Sequence, residues 1–212
     1  MSPAPVGVLG GTFNPVHYGH LRSALELVER LQLQQLRLMP CAVPPHREAP
    51  ACSAQHRAAM AGLAVASEPR LACDSRELQR EGKSYTIDSL IELRDELGAD
   101  LGLYLVMGCD AVLTIDTWHR WRELLDWAHI VVIARPGWHL PHSGTVARWL
   151  ASHELPAAAA LERPAGGIIV EELRPLAISA TEIRDLLAAG RSARYLLPEP
   201  VLDYIESHRL YQ

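Results

Sequence analysis

The chain has no C-x-x-C pair, and its four cysteines, Cys41, Cys52, Cys73 and Cys109, have none of the spacings that metal sites use. They read as reduced thiols of a cytosolic protein. No apolar run approaches the length needed to span a bilayer. The opening MSPAPVGVLGG lacks the basic region of a signal peptide, and its apolar stretch is too short for one. Positive charge is not in excess. A net charge of −5 argues against broad binding to nucleic acid or a membrane surface, because counterion release needs clustered Lys and Arg. It leaves room for a small anion in a local basic pocket. Internal repeats and long low-complexity tracts are absent. The G-x-G-x-x-G fingerprint of dinucleotide sites is missing too, since Thr12 stands at its second glycine. The expectation is a soluble, cytoplasmic protein.

What is present is an alternation of apolar runs and helical periodicities. At 212 residues the chain is long enough for one α/β domain, or a domain with a small appendage. Val6–Gly10 reads as a short buried strand. Leu21, Leu25, Val28 and Leu31 recur at helical spacing, which predicts a helix from about His17 to Leu31. QLRLMP is a second strand, followed by the Pro-rich loop CAVPPHREAPACS. SAQHRAAMAGLAVAS is helical with Ser53 as N-cap. RLACDSRELQREGKSY suggests an edge strand and a turn. Thr86 is predicted to cap a helix that stops at Gly98. LGLYLVMG and HIVVIA have the continuous apolar character of buried parallel strands. GTVARWLASH is helical, LPAAAALERPAGG a surface connection, and GIIVEEL a further strand. SATEIRDLLAAG opens with a capping box, Ser179 to Glu182, and closes at Gly190. PEPVLDYIESHRLY is a last helix with proline near its start. This order predicts an α/β fold, doubly wound and Rossmann-like, with a mostly parallel sheet, helices on both faces and a small C-terminal helical part. Residues 1–212 are expected to form a single domain, with 175–212 as its helical subdomain. Ligands in such folds bind beyond the carboxyl ends of the strands.

Two segments carry chemistry. Gly10 and Gly11 end the first strand, where glycine allows close approach to the backbone. The helix that follows turns unpaired N–H groups and its positive end toward the strand tips, a natural anion site. His17 and His20, three residues apart, share a helical face there. They could donate to phosphate oxygens and meet charge that grows during phosphoryl transfer. Plainer readings exist. A Gly-Gly after a strand marks many turns, and H-x-x-H is often a surface pair or, with a third ligand that is not visible here, a metal site. The second segment, ISATEIR, offers another helix N-terminus with the hydroxyls of Ser179 and Thr181. Arg184 follows one turn later, able to grip two phosphate oxygens. Its plainer reading is a simple cap with a solvated arginine.

Together the segments resemble the nucleotidyltransferase superfamily marked by T/H-x-G-H, here HYGH from His17 to His20, and by I-S-S-T-x-I-R, here ISATEIR with Ala180 in place of serine. The longer pattern G-G-T-F-D-P-x-H-x-G-H matches Gly10 to His20 except at Asn14. PPHR, SYTIDSL, GCD and TWHRW lie between, so the resemblance to bacterial nicotinate-nucleotide adenylyltransferases runs along nearly the whole chain. It implies adenylyl transfer from ATP to nicotinate mononucleotide, with Mg²⁺. The products would be nicotinate adenine dinucleotide and pyrophosphate, formed by in-line attack on the α-phosphorus without a covalent enzyme intermediate.

The resemblance also implies roles. His17, His20 and Arg184 would be catalytic, with His20 nearest the α-phosphate. Gly10, Gly11, Thr12 and Phe13 would line the ATP path, and Ile178 would lie against adenine. Ser179, Thr181 and Arg184 would hold the β- and γ-phosphates, and Gly108 and Asp110 would reach the ribose. Trp118 would stack on the pyridine ring, where core packing is its plainer reading. His46 and Arg47 would belong to a lid, in a loop whose composition equally suits a connector. Thr86 and the helix it starts would offer N–H groups to the nicotinate carboxylate, which sets acid against amide substrate. No protein metal ligand is expected. The partners implied are the small-molecule substrates, without nucleic acid or membrane, and a homo-oligomer is left open. Rival readings are an adenylyltransferase for nicotinamide mononucleotide or phosphopantetheine, a non-catalytic adenine-nucleotide sensor, and a dehydrogenase. The missing glycine fingerprint disfavours the last.

Overall fold

Leu103–Gly108 and His129–Ala134 are almost unbroken apolar runs, and both form strands buried on both sides. That is the pattern of the inner strands of a parallel sheet. The computed structural model describes residues 4–42, 52–135, 137–138, 143–174 and 176–212. Among these, the strands are β1 (Val6–Gly11), β2 (Gln35–Pro40), β3 (Leu71–Cys73), β4 (Leu103–Gly108), β5 (His129–Ala134) and β6 (Ile168–Glu172). They form one six-stranded sheet in the order β3-β2-β1-β4-β5-β6. Val6 pairs with Leu103 and Leu9 with Val106, in parallel register; β4–β5 and β5–β6 are also parallel. The order reverses between β1 and β4. In sheets of this order, right-handed crossovers place the connections on opposite faces on either side of such a point.

The helices are α1 (Tyr18–Arg30), α2 (Ala54–Val65), α3 (Thr86–Leu97), α4 (Cys109–Val112), α5 (Leu124–Trp127), α6 (Thr145–His153), α7 (Ala157–Ala160), α8 (Ala180–Ala188) and α9 (Glu199–Ser207). Most ends follow the sequence signals. Ser53 caps α2 by accepting from the His56 N–H at 3.3 Å. Gly98 and Gly190 end α3 and α8 at φ of 89° and 67°, a conformation that glycine adopts without cost. Two expectations change. Tyr85, not Thr86, occupies the cap position of α3, and its side chain makes no cap hydrogen bond. Tyr85's carbonyl accepts from Asp88 and Ser89 instead, so Thr86 is already helical. The stretch expected as a plain surface connection contains the single turn α7, whose Ala160 is fully buried.

The chain divides into two units, each assembled from separated stretches. The first comprises Met1–Leu9, Leu27–Leu36 and Tyr85–Arg174. Its core is Leu103, Leu105, Val106, Ile130, Val131 and Ile168, with Leu90 and Leu93 from α3. Arg94 anchors the end of α3 by donating to the carbonyls of Leu101, Trp127 and Pro164, and burial holds its pKa below the usual guanidinium range. The second comprises Gly10–Glu26, Arg37–Ser84 and Pro175–Gln212. Here α2 packs on α9, and Met60, Ala61, Val201, Leu202 and Ile205 are buried. Among the described residues no helix is long and apolar enough to cross a membrane.

Candidate active site

The second unit contains both sequence segments. His17 stands just ahead of α1, and its carbonyl accepts from the N–H groups of His20 and Leu21. It is therefore the residue from which the helix starts. The two imidazoles stack with centroids 3.8 Å apart and planes at 28°. Gly19 makes this fit: a Cβ there would stand 2.9 Å from His17 Nδ1 and 3.5 Å from the Ile178 carbonyl oxygen. The glycine of H-x-G-H thus clears room for the His17 ring, and the same contact puts the ISATEIR segment beside it. On the other side Phe13 meets His20 edge-on at 5.1 Å. At Gly10 an added Cβ would meet nothing within 4 Å among the described residues, so they leave that backbone open to close approach.

The electrostatics of the pair follow from its burial. Desolvation lowers the His17 pKa from 6.5 to about 4. It lowers the His20 pKa to about 3, with the neighbouring His17 adding to the effect. Both rings are neutral at pH 7. The His17 N–H donates to His20 Nδ1 at 3.3 Å. A neutral ring that accepts at Nδ1 carries its proton on Nε2, so His20 presents Nε2–H as a donor. His17 Nδ1 is buried with no hydrogen-bond partner among the described residues. An anion would supply the interactions this pair lacks, and its charge would raise both pKa values.

Arg184 arrives from α8, 170 residues away from the loop it contacts. Its Nη1 donates to the Asn14 carbonyl at 2.8 Å and its Nη2 to Thr181 Oγ1 at 3.2 Å. Ser179 caps α8, its Oγ accepting from the Glu182 N–H at 3.1 Å. One unit therefore brings together Gly10, Gly11, Thr12, Phe13, His17, His20, Ile178, Ser179, Thr181 and Arg184.

Arg57 escaped the sequence reading. It sits in an Ala-rich helix, where an arginine is ordinarily solvated, yet it is 1% exposed. Its guanidinium donates to the carbonyls of Thr12 at 2.7 Å, Cys41 at 2.7 Å and Ala42 at 3.1 Å. It ties the loop after β1 to the end of β2 and adds a buried positive charge. Nothing in the local pattern signals it.

The first unit holds Thr86, Gly108, Asp110 and Trp118. Thr86 begins α3, a helix without a side-chain cap, so the donors of its first turn are not taken by a capping side chain. Trp118 is half-buried, whereas Trp121 and Trp149 are buried and pack edge to face at 4.9 Å. In TWHRW it is thus the second tryptophan that fills the core. Gly108 ends β4 exposed, and the exposed Asp110 accepts from Arg135 Nη2 at 2.8 Å. Tyr85 and His119 rings lie 4.5 Å apart, flanking Thr86 and Trp118 in sequence. His46 and Arg47 lie outside the described residues.

Helix starts, neutral N–H donors and a guanidinium are gathered around one loop. Residues 8–186 match the cytidylyltransferase-like family, which sets the class as nucleotidyltransferase. The chain is 50% identical to the "Probable nicotinate-nucleotide adenylyltransferase" of Aeromonas salmonicida, over 100% of its own length and 99% of the relative's. It is also 50% identical to the protein of the same name from Pseudomonas aeruginosa, over 98% and 97%. The chain belongs to the nicotinate-nucleotide adenylyltransferase family within that class. The nicotinic acid mononucleotide adenylyltransferase of Plasmodium falciparum, solved with NaAD, matches with a TM-score of 0.71 and 16% identity over 99% of this chain and 98% of that one. At that identity it speaks for the fold.

Proposed function

We propose that this protein transfers the adenylyl group of ATP to nicotinate mononucleotide, giving nicotinate adenine dinucleotide and pyrophosphate, the adenylyl step of NAD synthesis in the cytoplasm. The observation that carries the reading is the stacked His17–His20 pair on the loop that also binds Arg184, in a chain half identical to enzymes of that name. An oxygen of the acceptor's 5′-phosphate forms a bond to the α-phosphorus. The bond from that phosphorus to the bridging oxygen of the β-phosphate breaks, and pyrophosphate leaves with the electron pair. The protein's part is to position the reactants and to meet the charge that moves. His20 Nε2–H donates to the α-phosphate, and His17 lies against it. Arg184, Thr181 and Ser179 hold the β- and γ-phosphates. Gly10, Gly11, Thr12 and Phe13 line the nucleotide's path, Ile178 lies against adenine, and Gly108 and Asp110 serve the ribose.

The donor set suits an anion and not a hard cation, which prefers oxygen ligands. Among the described residues no three His, Cys, Asp or Glu side chains gather at one point. Mg²⁺ would enter with the nucleotide as Mg·ATP and would supply charge neutralisation there.

For the acceptor, Trp118 stacks on the pyridine ring. The start of α3 at Thr86, left without a side-chain cap, receives the carboxylate. A carboxamide would turn its NH₂ toward those donors and lose affinity. Pyrophosphate release measured with nicotinate mononucleotide and with its amide tests this directly. The acid is expected to react at least about tenfold faster at equal concentration, the ratio set by one charge-assisted hydrogen bond. Equal rates would overturn the acceptor assignment.

A further inference from the structure

We propose that Tyr211 is a positioning residue for the triphosphate: its hydroxyl fixes Asn14, and Asn14 in turn aims Arg184. The inference rests on Arg184 being a phosphate ligand, as read above. Tyr211 Oη donates to Asn14 Oδ1 at 2.6 Å, across 197 residues of sequence. The Asn14 carbonyl accepts from Arg184 Nη1 at 2.8 Å. One residue is thus held at its side chain by Tyr211 and holds Arg184 with its main chain. A guanidinium has five N–H donors in a rigid fork. With one spent on Asn14 and one on Thr181 Oγ1, the direction of the rest is set by where the Asn14 carbonyl points.

The backbone around this contact is unusual. Tyr211 has φ of 63° and Phe13, next to Asn14, φ of 47°. Bulky side chains rarely adopt the left-handed region, and such residues persist only where their surroundings over-determine them. Phe13 lies edge-on to His20. The Phe13–Asn14 step therefore touches both poles of the phosphate site, the imidazoles through a ring and the guanidinium through a carbonyl. Tyr211 is well placed to keep that step rigid. The segment after α9 folds back on itself, with the Leu210 N–H on the Ile205 carbonyl at 3.0 Å, and brings the phenol beside the buried Cys52 thiol. The matching family pattern has aspartate where Asn14 stands. Either side chain offers the oxygen that the phenol needs, so the substitution keeps this bond.

The test is Mg·ATP affinity by calorimetry at 20 °C for the full chain, Y211F, R184A and the double variant. Y211F, which loses only the hydroxyl, is expected to weaken binding about tenfold, in the range for one hydrogen bond. In the R184A background the same change should add nothing, because the two act on one ligand contact. The Michaelis constant for the mononucleotide should stay at its wild-type value. Asn14→Ala cuts the same bond from the other side and must match Y211F, which keeps the test in hand should either variant fold poorly. A role in stability alone would lower the melting temperature and leave the affinity for Mg·ATP unchanged. An affinity within twofold of wild type in Y211F, or an equal loss with and without Arg184, would overturn the proposal. A wild-type chain that binds Mg·ATP and leaves nicotinate mononucleotide unreacted would instead overturn the acceptor reading, with the affinities still deciding this one.

Discussion

His20 is held on three sides: by the His17 ring in stack, by the Phe13 edge, and by the His17 N–H on Nδ1. Its remaining nitrogen is the one that can donate outward. On the proposed reading, replacing it with alanine removes a donor to the developing charge, and His20→Ala is expected to cut turnover about a hundredfold or more. Steady-state kinetics on a variant with unaltered circular dichroism would check this, and near-normal turnover would remove His20 from the chemistry. The residues that sequence alone could name were those in local patterns. H-x-G-H and I-S-x-T-x-I-R are short, and their chemistry is visible in the residue types. Arg57 and Tyr211 could not be named so. Each acts on the loop after β1 from far along the chain, Arg57 through the Thr12 carbonyl and Tyr211 through the Asn14 amide. A bond to a carbonyl 45 residues away leaves no mark on the residues around it.

At the level of elements, strands were legible where burial is two-sided and the apolar run unbroken, as in β4 and β5, and where a proline closes the run, as in β2. The turn α7 was not, because four alanines have no periodicity to read. The start of α3 misled for a different reason. Thr86 has the side chain of a cap, but Tyr85 takes that place while its ring rests on His119. The start of α8 was read correctly, and it can be dissected. Only one half of the capping box is seen among the described residues, the Glu182 N–H on Ser179 Oγ. Ser179→Ala should lower the unfolding free energy by about 1 kcal/mol, and Glu182→Ala should stay within about 0.5 kcal/mol of wild type. Urea titrations of the two variants would show it; equal losses would mean that the return bond is made as well.

For the whole molecule, the buried imidazoles couple stability to acidity. In the unfolded chain a histidine titrates at about 6.5. In the fold, burial lowers His17 to about 4 and His20 to about 3, and lowers His129 as well. Below pH 6.5 the unfolded state therefore binds protons that the native state refuses. The stability these groups contribute is complete above that pH and is lost as pH falls toward 4 and then 3. The urea midpoint of the protein without ligand should drop steadily from pH 7 to pH 4, and His20→Gln should flatten part of that slope. Parallel curves for the two proteins would refute the assignment.

The unit that carries the imidazoles draws on Gly10–Glu26, Arg37–Ser84 and Pro175–Gln212. On a ribosome adding about 5–20 residues per second, the 170 residues from Asn14 to Arg184 take about ten to thirty seconds to emerge. Through that interval the histidines are already made and Arg184 is not. Under the proposed assignment, a nascent chain stalled anywhere before Arg184 would carry half a nucleotide grip, and the competence to hold ATP would be switched on late in translation, by the same stretch that completes the unit.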